Sequence, residues 1–254
     1  MEKLSILLPL HNEEKNLVDC LESVKWADEI LVVDSYSTDQ TLEIASRYGA
    51  RIIQHEYINS AKQKNWAIPQ CAYEWVLQID ADERLEFTLQ SEIQDVLKNP
   101  PMDVDGYINP TRNHLLGKWM KRADMYPDNR LRFFRRDKGR FEDKEVDARV
   151  FVPGKVEYLE GHVLHFGMES ISRKLSQLDR YTSYESDERE KRGRYYSWFN
   201  VTIRPLVAFF YYYLYKLGFL EGIRGLILAA WKADFVFWTY VKLWEKEVRT
   251  GKRK

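Results

Sequence analysis

Glu74-Trp75-Val76-Leu77-Gln78-Ile79-Asp80-Ala81-Asp82 decides the fold. It is a short, nearly continuous apolar run, bounded by polar residues, that ends on two acids. Such a run reads as a buried strand. Glu29-Ile30-Leu31-Val32-Val33-Asp34 repeats the pattern, and residues 4–8 form a third apolar run closed by Pro9. Helix signals lie between these strands. Leu17, Cys20, Leu21 and Val24 fall at i, i+3, i+4, i+7 within residues 13–26. Thr38 or Asp39 can cap a helix over 40–48, which Gly49 stops. Residues 51–54 read as a short strand, 60–71 as a helix up to Pro69, and 87–98 as a helix stopped by Asn99-Pro100-Pro101. This alternation predicts an α/β fold, with a mostly parallel sheet and helices on both faces. Right-handed crossovers place ligands outside the carboxyl ends of such strands. The ends at Pro9, Asp34 and Asp80 should therefore share one crevice.

Further along, residues 107–109, 131–135, 148–152 and 163–166 read as shorter strands with polar loops. Residues 170–192 predict a charged amphipathic helix. Residues 195–216 and 218–249 predict two more, hinged at Gly218. No internal repeat is visible.

A chain of 254 residues with 44% hydrophobic and 31% charged content can bury a core and is not disordered. Lys+Arg and Asp+Glu both number 39, which excludes a polyanion binder by net charge. The neutrality hides an asymmetry: residues 1–100 carry a net charge of −9, and residues 195–254 carry +6 with 17 of the 36 aromatics. Cys20 and Cys71 stand in no metal-ligand spacing and read as core thiols. The N-terminus shows no basic region or small-residue cleavage site, so no signal peptide is expected. The longest uncharged run of the tail, residues 205–215, is eleven residues, against about 20 for a membrane span. On a helix over 218–249, Glu221, Arg224, Lys232, Asp234, Lys242, Glu245, Lys246 and Arg249 fall near one line. Trp, Phe and Leu occupy much of the rest. A helix of this kind either lies in a membrane interface or packs on its own domain.

Two carboxylates in a tight turn, Asp80 and Asp82, can face one divalent cation, and oxygen ligands suit Mg²⁺ or Mn²⁺. Such a cation neutralises a phosphate leaving group. The alternative is a solvated turn in which Asp82 caps the next helix. Asp34 can accept from a base N–H or from ribose hydroxyls, or merely cap its turn. Asn12 and Glu13 can meet a nucleoside, or complement a helix N-terminus.

Four segments occur in order: Leu8-Pro9-Leu10-His11-Asn12-Glu13-Glu14, Val32-Val33-Asp34-Ser35-Tyr36-Ser37-Thr38-Asp39-Gln40-Thr41, Ala61-Lys62-Gln63-Lys64-Asn65-Trp66-Ala67 and Leu77-Gln78-Ile79-Asp80-Ala81-Asp82-Glu83. The series resembles the family 2 glycosyltransferases of GT-A (Rossmann-like) fold. Within them it is similar to the small bacterial enzymes that act on lipopolysaccharide core. The resemblance covers roughly residues 4–165 and extends loosely into the tail. It implies a catalytic domain over 1–166, with a nucleotide-sugar half (1–100) and an acceptor half (101–166). A helical, membrane-associating extension would follow over 167–254. It implies an inverting, metal-dependent transfer from a nucleotide diphosphate sugar, UDP-sugar favoured, to a hydroxyl of a lipid-linked or lipopolysaccharide-core glycan. The expected location is cytoplasmic, peripheral at the inner membrane. Carried over by position, Pro9, His11, Glu13 and Asp34 would hold the nucleoside. Lys64 would lie near the diphosphate or the acids. Asp80 would contact ribose or metal, and Asp82 and His165 would ligate Mg²⁺ or Mn²⁺, with His162 a nearby competitor.

The catalytic base departs from the pattern. Transfer to a hydroxyl needs a carboxylate near the acceptor oxygen. The sub-group commonly carries Val-His-Glu where this chain has Val146-Asp147-Ala148. Asp147 is then the candidate base, with Glu145 or Asp143 in reach. A polyprenyl phosphate acceptor would need no base, and a non-catalytic membrane adaptor would need none either. A nucleotidyltransferase should show a Gly-rich loop after the first strand, and residues 8–14 hold no glycine. The segment 112–140 mixes basic and acidic residues as a solvated face does, so no nucleic-acid partner is expected. In this fold it shapes the acceptor site, with Arg112, Trp119, Arg130 and Arg132 as candidates.

Overall fold

A computed structural model of the chain describes residues 1–144, 148–168 and 170–251. Two compact units form: residues 1–113 with 127–167, and residues 114–126 with 168–254. The chain runs through β1 (Leu4–Leu10), α1 (Leu17–Val24), β2 (Glu29–Asp34), α2 (Thr41–Arg47), β3 (Arg51–Gln54), α3 (Ser60–Ala67), β4 (Trp75–Gln78), β5 (Glu83–Leu85) and α4 (Phe87–Lys98). Then come β6 (Val104–Leu115), β7 (Lys118–Trp119), β8 (Asp128–Arg135), β9 (Arg140–Phe141), β10 (Val150–Phe151), β11 (Lys155–Tyr158) and β12 (Val163–Met168). Three long helices follow: α5 (Ile171–Lys191), α6 (Trp198–Phe210) and α7 (Ile223–Arg249).

The main sheet has the order β3-β2-β1-β4-β8-β6-β12-β5. β1 to β4 are mutually parallel where they pair, as the alternation predicted. From β8 onward the strands of this path turn antiparallel, so the sheet is mixed. β6 and β8, joined without a crossover helix, pair antiparallel, whereas β11, off this path, pairs parallel with β6. β1 lies between β2 and β4, so the chain order reverses there. That switch point opens the crevice at the carboxyl ends of β1, β2 and β4.

The period-2 pleat splits the apolar residues between two faces. Leu4, Ile6, Leu8 and Leu10 of β1 pack with Leu17, Cys20, Leu21 and Val24 of α1, Ile44 of α2 and Leu89, Ile93 and Leu97 of α4. Leu7 points the other way, with Val33, Val76 and Phe134, against Ala61 and Ala67 of α3. Fully burying each such side chain contributes about 1.5–3 kcal/mol, which fixes the register. The two cysteines are buried and free, and burial pushes the Cys71 thiol up to about 12.

Several boundaries differ from expectation. Helix α1 starts at Leu17, because residues 11–16 form a loop in which Asn12 has a left-handed backbone (φ 54°). β6 is twelve residues long instead of three. In the second unit the last helix begins at Ile223. Leu217 (φ 57°) and Gly222 (φ 64°) break the chain before it, with one 3₁₀ turn between. Gly225 has no side chain because a Cβ there would lie 1.8 Å from the Gly218 carbonyl oxygen.

The polar line of α7 is partly turned inward. Lys242 Nζ donates to Asp179 Oδ1 (2.8 Å) and Ser183 Oγ (2.8 Å) of α5. Lys246 Nζ donates to Ser186 Oγ (2.6 Å) and pairs with Asp187. Buried Glu247 accepts from the Tyr196 amide, and buried Tyr240 accepts through its hydroxyl from Arg189 and Arg204. α7 also buries Leu228, Ala229 and Leu243, but on α6 and the turn after it apolar residues face outward: Trp198 is 75% exposed, Val207 59% and Tyr215 74%. No helix among the described residues is long and apolar enough to cross a membrane.

Candidate active site

Two loops form one rim of the crevice. The Asn12 amide donates to Ser37 Oγ (2.9 Å), and Asn12 Oδ1 accepts from the Thr38 amide (2.8 Å). The Glu13 amide donates to Thr41 Oγ1 and the Glu14 amide to Asp39 Oδ2. Asp39 also accepts from the Thr41 amide and hydroxyl, which braces the entry to α2 from one residue before its N-cap, Gln40; the expected cap at Thr38 or Asp39 is not formed. Asp34 is fully buried at the end of β2. Its carboxylate accepts from the Ser37 amide, Ser37 Oγ and Gln54 Nε2. Both oxygens thus brace the loop. His11 is exposed on this rim and Pro9 is half-buried. Glu13 Oε2 accepts from Asn16 Nδ2 (2.8 Å). Tyr36, which the sequence did not single out, stands beside them with φ 59° and 57% exposure. A bulky residue held at positive φ is strained, and such strain clusters at functional sites.

Three consecutive polar residues of α3 reach in three directions. Gln63 Nε2 donates to Ser35 Oγ (2.6 Å) at the end of β2. Lys64 Nζ lies 3.0 Å from Asp80 Oδ1 and 5.3 Å over the Phe141 ring. Asn65 exchanges two hydrogen bonds with the Phe141 backbone of β9 (3.0 and 2.8 Å). Helix α3 therefore ties the β2 loop, the acids and the β9–β10 ladder together.

The acidic turn is built from below. Glu83, 2% exposed, accepts from the Asp80 amide (3.0 Å) and takes both forks of buried Arg132 (2.6 and 2.5 Å). Gln78 Nε2 donates to Asp80 Oδ1 (2.8 Å). Desolvation works to raise the Asp80 carboxyl, but Lys64 and then Arg132 outweigh it and hold it below the usual range. Burial raises Glu83, against the pull of Arg132.

β12 pairs with β5 so that His165 stands opposite Glu83. His165 Nε2 comes 3.7 Å from Asp82 Oδ2, and its Nδ1 meets Asn113 Oδ1 at 2.7 Å. Burial opposes its charge, yet Asp82 and Glu83 raise its pKa. His162 turns to Glu86 instead (3.2 Å), and burial and Arg112 lower its pKa. Gly167 closes this corner. A Cβ there would lie 2.4 Å from His165 Nε2 and 2.7 Å from Asp82 Oδ2. Glycine inside a strand marks a close approach, a signal the sequence carried.

Asp82 and His165 form a pair with oxygen and nitrogen donors side by side. Among the described residues no group of three His, Cys, Asp or Glu side chains could hold a metal ion. Mg²⁺ is commonly held by one or two carboxylates plus substrate phosphates, so Asp82 alone meets that need and the imidazole would be an added ligand. We expect Gly167→Ala to weaken Mn²⁺ binding about tenfold or more by wedging this pair apart, read by Mn²⁺ electron resonance. Unchanged affinity would remove the pair from any metal site.

The acceptor candidates each have partners of their own. Arg112 pairs with Glu86 (2.5 Å), and Arg130 with Asp128 (3.0 Å). Trp119 belongs to the second unit, edge-on to Tyr126. Arg132 departs from expectation: it is buried with its fork filled by Glu83, so it supports the acidic turn rather than meeting an acceptor. Asp143 is exposed in the connection between β9 and β10. Glu145 and Asp147 lie outside the described residues. Half-buried Ala148 packs on the α3-side core.

The chain is 27% identical over 250 residues to the Rhizobium meliloti lipopolysaccharide core biosynthesis glycosyltransferase LpsC, covering 96% of this chain and 92% of that protein. It is 28% identical to an uncharacterized glycosyltransferase of Rickettsia felis, covering 89% of this chain and 84% of the other. The S. aureus TarS 1–349 structure in complex with UDP-GlcNAc aligns over 98% of this chain and 92% of that chain, at 16% identity and a TM-score of 0.49. The pattern that defines glycosyl transferase family 2 matches residues 5–162, and the chain belongs to that family.

Proposed function

We propose that this glycosyltransferase moves a sugar, with inversion, from a UDP-sugar to a hydroxyl of a lipid-linked or lipopolysaccharide-core glycan, at the cytoplasmic face of the inner membrane. The observation that carries it is the acidic turn at the switch point: Asp80 against Lys64, and Asp82 against His165. Family membership supplies the reaction class, and the near full-length likeness to LpsC supports the acceptor class. Residues 1–166 form the catalytic part in this reading and 167–254 the membrane-associating part.

The uridine lies over the rim formed by Pro9, His11 and Glu13, which Asp34 braces from beneath, with Tyr36 as an added stacking surface. Asp82 and His165 hold Mg²⁺ or Mn²⁺, and Asp80 positions ribose or the same cation. The cation, when bound, neutralises charge on the departing diphosphate. Lys64 adds a positive group 3.0 Å from Asp80 at that end of the site. A carboxylate on the β9–β10 connection, among Asp143, Glu145 and Asp147, takes the acceptor hydroxyl proton. Arg112 and Arg130 are acceptor contacts in this reading.

Calorimetry of UDP and GDP, with and without Mn²⁺, tests it. Metal-dependent UDP binding supports the donor assignment. No binding of either nucleotide to folded protein would defeat it.

The outward aromatic residues of the second unit support the membrane reading, since Trp and Tyr favour the lipid interface. Serine at Trp198 and Phe210 together should reduce co-sedimentation with phosphatidylglycerol vesicles by about tenfold. Undiminished binding would defeat that part alone.

A further inference from the structure

The second unit contains a cavity that the transfer reaction does not use. Its volume is about 190 Å³. An engineered apolar cavity of roughly 150 Å³ stays dry and binds small hydrocarbons. Met168 and Ile171 form one wall, and Ile227, Leu228 and Trp231 of α7 the other. Leu115 and Met125 also line it, and Leu115 belongs with Leu228, Met120 and Ala123 to a small buried core. The α5 residues recur at helical spacing: Ile171, Lys174, Gln177 and Tyr181 share one face.

Three observations say what enters. First, the charged residues of the lining are both cations, Lys174 and Lys232, with no acid among them. Lys232 lies over the Tyr212 ring, 5.3 Å from its centroid, and has no carboxylate partner among the described residues. Second, Gln177 Oε1 is buried and accepts no hydrogen bond. An unsatisfied buried acceptor is costly and calls for a donor from a ligand. Third, this unit exposes Trp198, Leu206, Val207, Phe210 and Leu214 to its surroundings, as a protein at a lipid surface does.

We propose that the cavity between α5 and α7 binds one hydrocarbon chain of a phosphate-bearing lipid, with the phosphate at Lys232 and Lys174 and a headgroup hydroxyl at Gln177. The proposal rests on the membrane reading above and deepens it. The ligand is a lipid rather than free phosphate because most of the lining is apolar and two lysines are its charged members.

The test uses the intact chain and monomeric hexyl, octyl and decyl phosphate in calorimetry. Affinity should rise about fourfold per methylene and level off once the cavity is full. Stoichiometry should be one to one. Leu228→Trp should cost about tenfold or more by occupying the space. Met168→Trp, at a half-buried wall position, provides the same test should the first variant fail to fold. Lys232→Ala should weaken alkyl phosphates about fivefold and leave decyl maltoside unchanged. Inorganic phosphate alone should not bind. Alkyl phosphate affinity untouched by both tryptophan variants would overturn the proposal, as would inorganic phosphate binding as tightly as decyl phosphate. Vesicle binding lost only on substituting Trp198 and Phe210, with alkyl phosphate binding intact, separates a failure of the surface from a failure of the cavity.

Discussion

Asp82→Asn should fold normally and lose the Mn²⁺-dependent part of its UDP affinity, by about a hundredfold or more. Even an outer-shell partner of a metal is worth about 10–100-fold, and Asp82 is assigned to the metal itself. Asparagine keeps the size of the side chain, removes the charge and turns one acceptor oxygen into an N–H donor. His165 reports the same change. Its raised pKa depends on Asp82, so in the variant it returns toward 6.5. The sign follows from linkage. A histidine raised on folding contributes stability that is fully present below about 6.5 and is lost as pH rises through the folded value. Metal binding runs the other way, because the imidazole must be neutral to ligate. Between pH 6 and 8, roughly the range around a histidine pKa, Mn²⁺-assisted UDP binding should strengthen while the stability of the metal-free protein declines slightly. Both trends should flatten in Asp82→Asn. Calorimetry of UDP across that range, with thermal melts of the metal-free protein beside it, checks them. Full Mn²⁺-dependent UDP binding by the variant would remove Asp82 from the metal site.

The crevice was legible in sequence because it follows from strand ends. Apolar runs that stop on Pro9, Asp34 and Asp80 announce both the parallel strands β1 to β4 and the edge at which their carboxyl ends meet. The far half was not legible, and β6 shows why. Its burial alternates strictly from Asn109 to Leu115, but three of the four inward side chains, Asn109, Thr111 and Asn113, are polar, and only Leu115 is apolar. A period-2 pattern whose buried face is polar looks like a loop. Helix α3 was legible as a helix, but its inward face mixes Ala61 and Ala67 with buried Gln63 and Lys64, so no apolar stripe marked which side faces in. Tyr36 was invisible because only its backbone angle marks it. Arg132 was misread because counting arginines on a segment says nothing about which of them points inward. Its partner, Glu83, is 49 residues away in sequence.

That pair gives the largest expected change in stability. Arg132→Leu should cost about 3–5 kcal/mol in urea denaturation, the range for stranding one charge of a buried pair. Arg132 is 6% exposed and Glu83 2%, so water cannot take over the lost partner. The loss should depend on pH. Burial already raises Glu83 against the pull of Arg132, so without Arg132 its pKa climbs further. A carboxyl raised on folding favours the fold below its unfolded pKa, and that contribution fades as pH rises through the folded value. The deficit of the variant should therefore be smaller at pH 5 than at pH 8, values either side of the raised range. A double variant, Glu83→Leu with Arg132→Leu, removes both charges and should recover most of the loss. What it does not recover is the acceptor for the Asp80 amide, worth about 1–3 kcal/mol when left unsatisfied. That bond latches the Asp80-Ala81-Asp82 turn from below. The double variant should thus be a folded protein with weakened Mn²⁺-dependent UDP binding, which separates the two roles of Glu83. If Arg132→Leu costs less than about 1 kcal/mol, the value of an exposed pair, then the ion pair does not hold the turn. If the double variant binds UDP and Mn²⁺ as the parent does, the turn keeps its shape without the latch.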